Sequence, residues 1–263
     1  MSQRRVLITG AGSGLGRALA ERYARAGCAV ACADIHPGRA AEAASSLPGG
    51  EHFALAVDVA DEGSYEAMVA AVAERWPGPI DVLINNAGIA SGGPMIGSDM
   101  DEWRHVLDVN LLGVVRGCIA FVPAMAASGR GQVINTASFA GLAGAPNIMT
   151  YGVSKAAVVA LSEQLRAELH DRGVAVSVVC PAFFKTNLLE SWQGSQKLKK
   201  FADKMMTQSL DTLEGVADKV FAAAERREFL ILPTRREPMR WRLKRWFPKL
   251  YFRKLLQATR PPE

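Results

Sequence analysis

The chain has 263 residues, a net charge of +5 and 49% hydrophobic residues, which suits one large α/β domain and excludes a disordered or collagen-like chain. The N-terminal MSQRRVLITG enters an apolar strand at once, so no signal peptide is expected, and no run is expected to reach the length of a membrane span. Four scattered cysteines (Cys28, Cys32, Cys118, Cys180) and four histidines in no spaced ligand set imply reduced thiols, a cytoplasmic setting and no metal site.

Residues 6–9 read as a short strand, followed by a glycine turn from Gly10 to Gly16 and a helix over 17–26. Strand, glycine turn and helix together make a phosphate-binding loop. The glycines let the backbone approach a pyrophosphate, and the helix start supplies free N–H groups. The spacing departs from G-x-G-x-x-G and fits T-G-x-x-x-G-x-G on Thr9, Gly10, Gly14 and Gly16, with Ser13 and Leu15 at variable positions. A second strand over 29–33 delivers Asp34. An acid there, about 20 residues after the loop, accepts hydrogen bonds from the ribose hydroxyls of adenosine. It also repels a 2′-phosphate, so NAD is favoured, with Arg17 and Arg39 keeping NADP open as the alternative.

A helix over 38–47 leads to a third strand over 53–57, ending in Asp58 and Val59. A helix over 61–76 is stopped by Pro77, Gly78 and Pro79. A fourth strand over 80–84 then runs into Asn85, Asn86, Ala87 and Gly88. One long helix is expected over 99–128 with Asn110 inside it. A fifth strand over 132–136 delivers Ser138, a helix over 149–171 carries Tyr151 and Lys155, and a sixth strand over 174–179 ends at Pro181. A helix over 213–227 and a strand over 229–232 follow. The alternation implies a Rossmann-like, doubly wound parallel sheet of about seven strands between two helical layers. Ligands bind such sheets at the carboxyl ends of the strands. Gly10–Gly16, Asp34, Asp58, Asn85–Gly88, Ser138 and Pro181 all follow strand ends.

Tyr151 and Lys155 are four apart and share a helix face. A phenol titrates near about 10, and a cation beside it favours the phenolate and makes it a useful proton carrier. With these residues in place, the chain resembles the classical short-chain dehydrogenase/reductase family over roughly 4–232. The likeness rests on TGAGSGLG at 9–16, Asp34, Asp58 and Val59, NNAG at 85–88, Asn110, Ser138, YGVSK at 151–155 and the segment from Pro181 to Thr186. The resemblance implies an NAD(P)-dependent oxidoreductase interconverting an alcohol and its ketone or aldehyde. Tyr151 would be the general acid/base, Lys155 its pKa-lowering partner, Ser138 the group that orients the substrate oxygen, and Asn110 the holder of a relay water. Gly10, Gly14 and Gly16 would hold the pyrophosphate, and Asp58 and Val59 would border the adenine. Asn86, Ala87 and Gly88 would support the sheet and the cofactor, and Pro181 and Thr186 would meet the nicotinamide. The family's Pro-Gly reads Pro181-Ala182 here, which bears on the path of that loop. A catalytically silent dinucleotide-binding scaffold or redox sensor is the alternative.

The domain is expected over 1–233, with a substrate lid or a core-packed helix pair at 187–210. Leu188, Leu189, Trp192, Phe201, Met205 and Met206, facing apolar walls at 92–95 and 139–148, suit a hydrophobic alcohol or ketone. The extension over 234–263 differs in charge. Residues 235–263 carry ten Lys/Arg and two Asp/Glu, so the remaining 234 residues sum to −3. Met239, Leu243, Trp246, Phe247, Leu250 and Tyr251 recur at helical spacing among these cations, and Pro248 divides the run into two short helices. The pattern suits either packing on the domain or a second subunit, or peripheral contact with an anionic membrane through 235–260. No base-reading module is visible, so no nucleic-acid partner is expected. A homodimer or homotetramer is.

Overall fold

The structure, a computed structural model, describes residues 3–259. Residues 260–263 of the basic extension lie outside the described residues. The chain alternates strands and helices: β1 (Arg5–Thr9), α1 (Gly14–Arg25), β2 (Ala29–Asp34), α2 (Pro37–Ser46), β3 (Phe53–Ala56), α3 (Glu62–Arg75) and β4 (Val82–Asn85). Then come β5 (Ser91–Gly92), α4 (Met100–Leu107), α5 (Gly113–Ser128), β6 (Gly131–Thr136), α6 (Phe139–Ala143), α7 (Met149–Glu168) and β7 (Val174–Val179). The last elements are β8 (Gln193–Gly194), α8 (Gln196–Thr207), α9 (Leu213–Glu225), β9 (Leu230–Ile231), α10 (Glu237–Trp246) and α11 (Pro248–Thr259).

Seven strands form one parallel sheet in the order β3-β2-β1-β4-β6-β7-β9. The order reverses beside β1, which pairs with β2 on one edge and β4 on the other, through Ile8 with Cys32 and Ile84. Alternate residues of one strand feed two cores. Val6 and Ile8 pack under α1, α2 and α9 with Leu19, Tyr23 and Val220. Leu7 faces the other side, with Met68, Val114, Phe121 and Val158. Strands β1, β2, β4, β6 and β7 are buried on both faces, which is why they read as continuous apolar runs, while the edge strand β3 is only partly buried. Helix starts are marked by side-chain caps: Asp61 accepts from Ser64 N–H, Asp99 from Asp101 and Glu102, and Thr212 from Gly215.

Three expectations are corrected. The long helix over 99–128 is interrupted by a π-helical turn at Asp108–Leu112. There the Asn110 amide accepts from Ile89 N–H at 2.9 Å and donates to Ile89 C=O at 3.0 Å. A side chain that captures the backbone of a neighbouring loop pulls its own turn out of α-helical register. The same stretch, Met100–Ser128, is long and apolar enough to cross a membrane, with mean hydropathy 1.7, so the expectation of no such run fails on length and composition. In the fold its inner face packs on the sheet. Finally, the region 187–210 is not a helix pair of equal members: it holds a single 3-10 turn at Asn187–Leu189, then β8 and then α8. Strand β8 pairs in parallel with β5 and so ties the region 187–210 to the segment after β4.

A buried polar chain joins the centre of the sheet to α7. Asn85 Nδ2 donates to Asn135 Oδ1 at 2.9 Å, Asn135 Nδ2 to Ser162 Oγ at 3.0 Å, and Ser162 Oγ to Val158 C=O at 2.7 Å. Asn135 and Ser162 are fully inaccessible. Replacing Asn135 by Ala strands two buried groups and is expected to cost about 2–3 kcal/mol. Urea unfolding of Asn135→Ala reads this as a lowered midpoint, and an unchanged midpoint would remove the chain from the account of stability.

Candidate active site

The loop between β1 and α1 is built by close approach. Gly10 and Gly14 have φ of +67° and +52°, a conformation that disfavours any side chain. A Cβ on Gly16 would stand 2.1 Å from the Gly10 carbonyl oxygen. Ser13 makes no side-chain cap on α1, and the first turn holds no acid, so the helix start keeps N–H groups for an anion. Asp34, at the end of β2, accepts from Gly12 N–H at 2.9 Å and His36 N–H at 3.0 Å. Gly12, which the motif leaves as a variable position, is required here: its Cβ would lie 2.8 Å from the Asp34 carboxylate. Sequence reasoning missed it, although its being glycine was the available signal.

Thr9 does not line the cavity. Its hydroxyl accepts N–H bonds from Asn86 at 3.0 Å and Ala87 at 3.1 Å, and Asn86 Nδ2 donates back to the Thr9 carbonyl at 3.1 Å. These bonds close the switch point between β1 and β4. Gly16 is likewise internal to the loop.

One cavity of about 1510 Å³ runs along the strand ends, above the ~300–1,000 Å³ usual for one small ligand. At one end it is lined by Gly10, Ser13, Gly14, Leu15, Asp34, Asp58 and Val59. Asn86, Ala87 and Gly88 follow along its floor, and Ser138, Tyr151, Lys155, Pro181 and Thr186 line the middle. This donor set and glycine cradle fit a dinucleotide: loop N–H groups for pyrophosphate, Asp34 for ribose, and Lys155 and Thr186 toward the nicotinamide end.

Strand β6 ends by presenting Thr136 C=O to Lys155 Nζ at 3.0 Å, and the ammonium lies 6.0 Å from the centre of the Tyr151 ring. Burial pushes Lys155 down to about 8. Burial also pushes the Tyr151 phenol above its ordinary value, while the neighbouring Ser138 hydroxyl draws it partly back. Ser138 caps α6, accepting from Ala140 N–H, and donates to Pro181 C=O at 3.4 Å. Asn110 is fully buried and does not line the cavity. It donates to Ser154 Oγ at 3.1 Å, and both it and Lys155 crowd Gly88, whose Cβ would stand 3.0 Å from Asn110 Oδ1 and 3.2 Å from Lys155 Nζ.

A family profile described as short chain dehydrogenase matches residues 4–197. Meso-2,3-butanediol dehydrogenase of Serratia marcescens is 35% identical over 86% of this chain and 89% of its own. A short-chain dehydrogenase/reductase of Burkholderia phymatum, solved with NAD, superposes with a TM-score of 0.88 at 30% identity, covering 95% of both chains. One from Sphingobium yanoikuyae, solved with NADPH, gives 0.78 at 27% identity, covering 98% of this chain and 96% of that one.

The chain belongs to the classical short-chain dehydrogenase/reductase family. It is an oxidoreductase of the branch that works on alcohols with NAD(P), and its sheet is the family's nucleotide-binding fold. Two features of this family member were not legible beforehand. Arg39 of α2 pairs with Glu190, which lies between β7 and β8, at 2.8 Å, bridging the Asp34 end of the cavity. The Pro181-Ala182 step keeps negative φ at Ala182, since Asn147 and Arg227 are the non-glycine residues at positive φ among those described. Ala182 N–H donates to Thr234 Oγ1 at 3.2 Å, so alanine meets no backbone penalty there.

A buried lysine whose pKa falls from 10.5 to about 8 destabilises the fold wherever it must carry charge. That cost is full below about pH 8 and vanishes as pH rises toward the unfolded value. Lys155→Met is therefore expected to raise stability at pH 7 by on the order of 1–3 kcal/mol, with the gain fading to nothing by about pH 10.5. Thermal unfolding across pH checks this, and a gain independent of pH would contradict it.

Proposed function

We propose that this protein is an NAD(H)-preferring dehydrogenase or reductase acting on a hydrophobic alcohol or ketone, with Tyr151 as general acid/base. The observation that carries this reading is the meeting of Ser138, Tyr151 and Lys155 in the same cavity as Asp34 and the glycine loop. The nicotinamide, when bound, gives or takes the hydride. The chain's part is the proton. In the reducing direction the desolvated phenol of Tyr151, held above its ordinary pKa, stays protonated at neutral pH and gives its proton to the carbonyl oxygen. Ser138 donates to that oxygen and fixes its position. In the oxidising direction the Lys155 ammonium favours the phenolate that takes the proton back. Asn110 acts at one remove, fixing the Ile89–Gly88 segment against Lys155 and holding a water between lysine and solvent. The resemblance, rather than a contact with the cavity, supports that last role.

The NAD preference is supported by Asp34, whose two accepted N–H bonds hold a carboxylate at the ribose end. Arg39 is the residue through which NADP would be taken instead, once freed from Glu190. A hydrophobic substrate is supported by the walls beyond Tyr151: Phe183, Phe184, Leu188, Trp192, Phe201 and Met206. A homodimer or homotetramer is supported by exposed apolar residues along α5 and the last residue of the π-helical turn before it, Leu112, Ile119 and Pro123, spaced by seven and four residues.

Turnover of a panel of alcohols and ketones with NAD(H) and NADP(H) in parallel tests the reading. Wild type is expected to turn over apolar members faster with NAD(H), and Tyr151→Phe to lose about 10²–10⁴-fold in kcat while still binding NADH. A wild type no more active than Tyr151→Phe favours the silent scaffold, and a strong NADP preference removes the role given to Asp34.

A further inference from the structure

The two C-terminal helices divide their faces. On the inner side, Lys244 donates to the Leu142 carbonyl, Tyr251 OH donates to the Ala143 carbonyl at 3.0 Å, and Glu237 is buried. Leu243, Tyr251, Leu255 and Ala258 line the far end of the active-site cavity. The hairpin is thus fastened to α6 and serves as a wall of the site. On the outer side nothing covers it among the described residues. Met239, Arg242 and Trp246 recur at three- and four-residue spacing on α10, and Lys249, Phe252, Arg253 and Leu256 on α11. Met239 is 71% exposed, Trp246 72%, Phe247 61% and Phe252 59%.

We propose that this outer face docks the protein on an anionic lipid surface, with the apolar mouth of the cavity turned toward the lipid. Three observations carry it. The exposed indole and phenyl rings of Trp246, Phe247 and Phe252 lie among Arg and Lys along the two helices, the composition of an interfacial amphipathic segment. The hairpin from Glu237 to Thr259 has seven Lys/Arg against one acid, so two copies of this face repel each other while an anionic bilayer attracts both. The rim that the hairpin shares with the lid is also apolar and open: Phe183, Leu188, Phe201 and Leu255 line the cavity, and Phe201 is 58% exposed. A lipophilic alcohol or ketone dissolved in the bilayer would enter there. That last step rests on the substrate class proposed above, whereas the docking does not.

The test is sedimentation of the full chain with vesicles of phosphatidylcholine alone, or mixed with phosphatidylglycerol, at low and high salt. The wild type is compared with a Trp246→Glu, Phe247→Glu, Phe252→Glu triple variant, whose positions lie outside the cavity and the contacts to α6. NADH binding by fluorescence confirms that the variant is folded. The wild type is expected to pellet with the anionic vesicles, about tenfold less with neutral ones, less at high salt, and the variant to stay in solution. No pelleting by the wild type, or equal pelleting by the variant, overturns the proposal. A variant that instead loses a larger assembly in light scattering also overturns it, because a second copy is then the occupant. Sedimentation needs no turnover, so failure of the assigned reaction and failure of docking are read separately.

Discussion

The site depends on one buried contact, the Lys155 ammonium on the carbonyl of Thr136. It ties the end of β6 to the second turn of α7, and so fixes Tyr151 relative to Ser138, which follows the same strand end. A buried cation is expensive unless hydrogen-bonded, and here the bond is to backbone, not to a carboxylate. Among the described residues no acid pairs with the ammonium, and in the proposed mechanism its charge is what favours the Tyr151 phenolate. The fold accepts a local cost in stability to hold it.

The supports around this contact are polar and internal. Thr9 and Asn86 lock β1 to β4, Asn85 and Asn135 lock β4 to β6, and Asn110 locks the helix pair to Ile89. The first sits where the sheet order reverses and the other two brace β4 and the segment that follows it, so the floor of the crevice is cross-linked by polar bonds. Its roof is built differently, from the short β5–β8 pairing, the Arg39–Glu190 ion pair and the C-terminal hairpin. The exposed ion pair contributes little energy in water, so this part of the roof is held more weakly than the floor.

Much of the floor could be read from the chain because its chemistry lies next to strand ends in sequence. Gly10, Asp34, Asp58, Asn86, Ser138 and Pro181 each follow an apolar run directly, and parallel topology then brings them to one edge. Residues acting across the fold were harder. The π-helical turn at Asn110 arises from a hydrogen bond to Ile89, twenty-one residues away, and helix periodicity carries no sign of it. Gly12 matters because of Asp34, and β5 pairs with β8 over only two residues. The amphipathic tail was visible as two helices broken at Pro248, but which face would meet the domain depends on carbonyls of α6 that no spacing rule marks.

The most direct test is spectroscopic titration of Tyr151 with NAD bound, taken as the difference between wild type and Tyr151→Phe. Burial alone raises this phenol, but the positive charge of oxidised nicotinamide beside Lys155 favours the phenolate, so one tyrosine is expected to ionise below the ordinary value of about 10, with its pKa moved upward again in Lys155→Met. A Tyr151 that ionises at or above the ordinary value with NAD bound, or that is unmoved by loss of the lysine, would contradict the assignment of Tyr151 and Lys155 as a working acid/base pair.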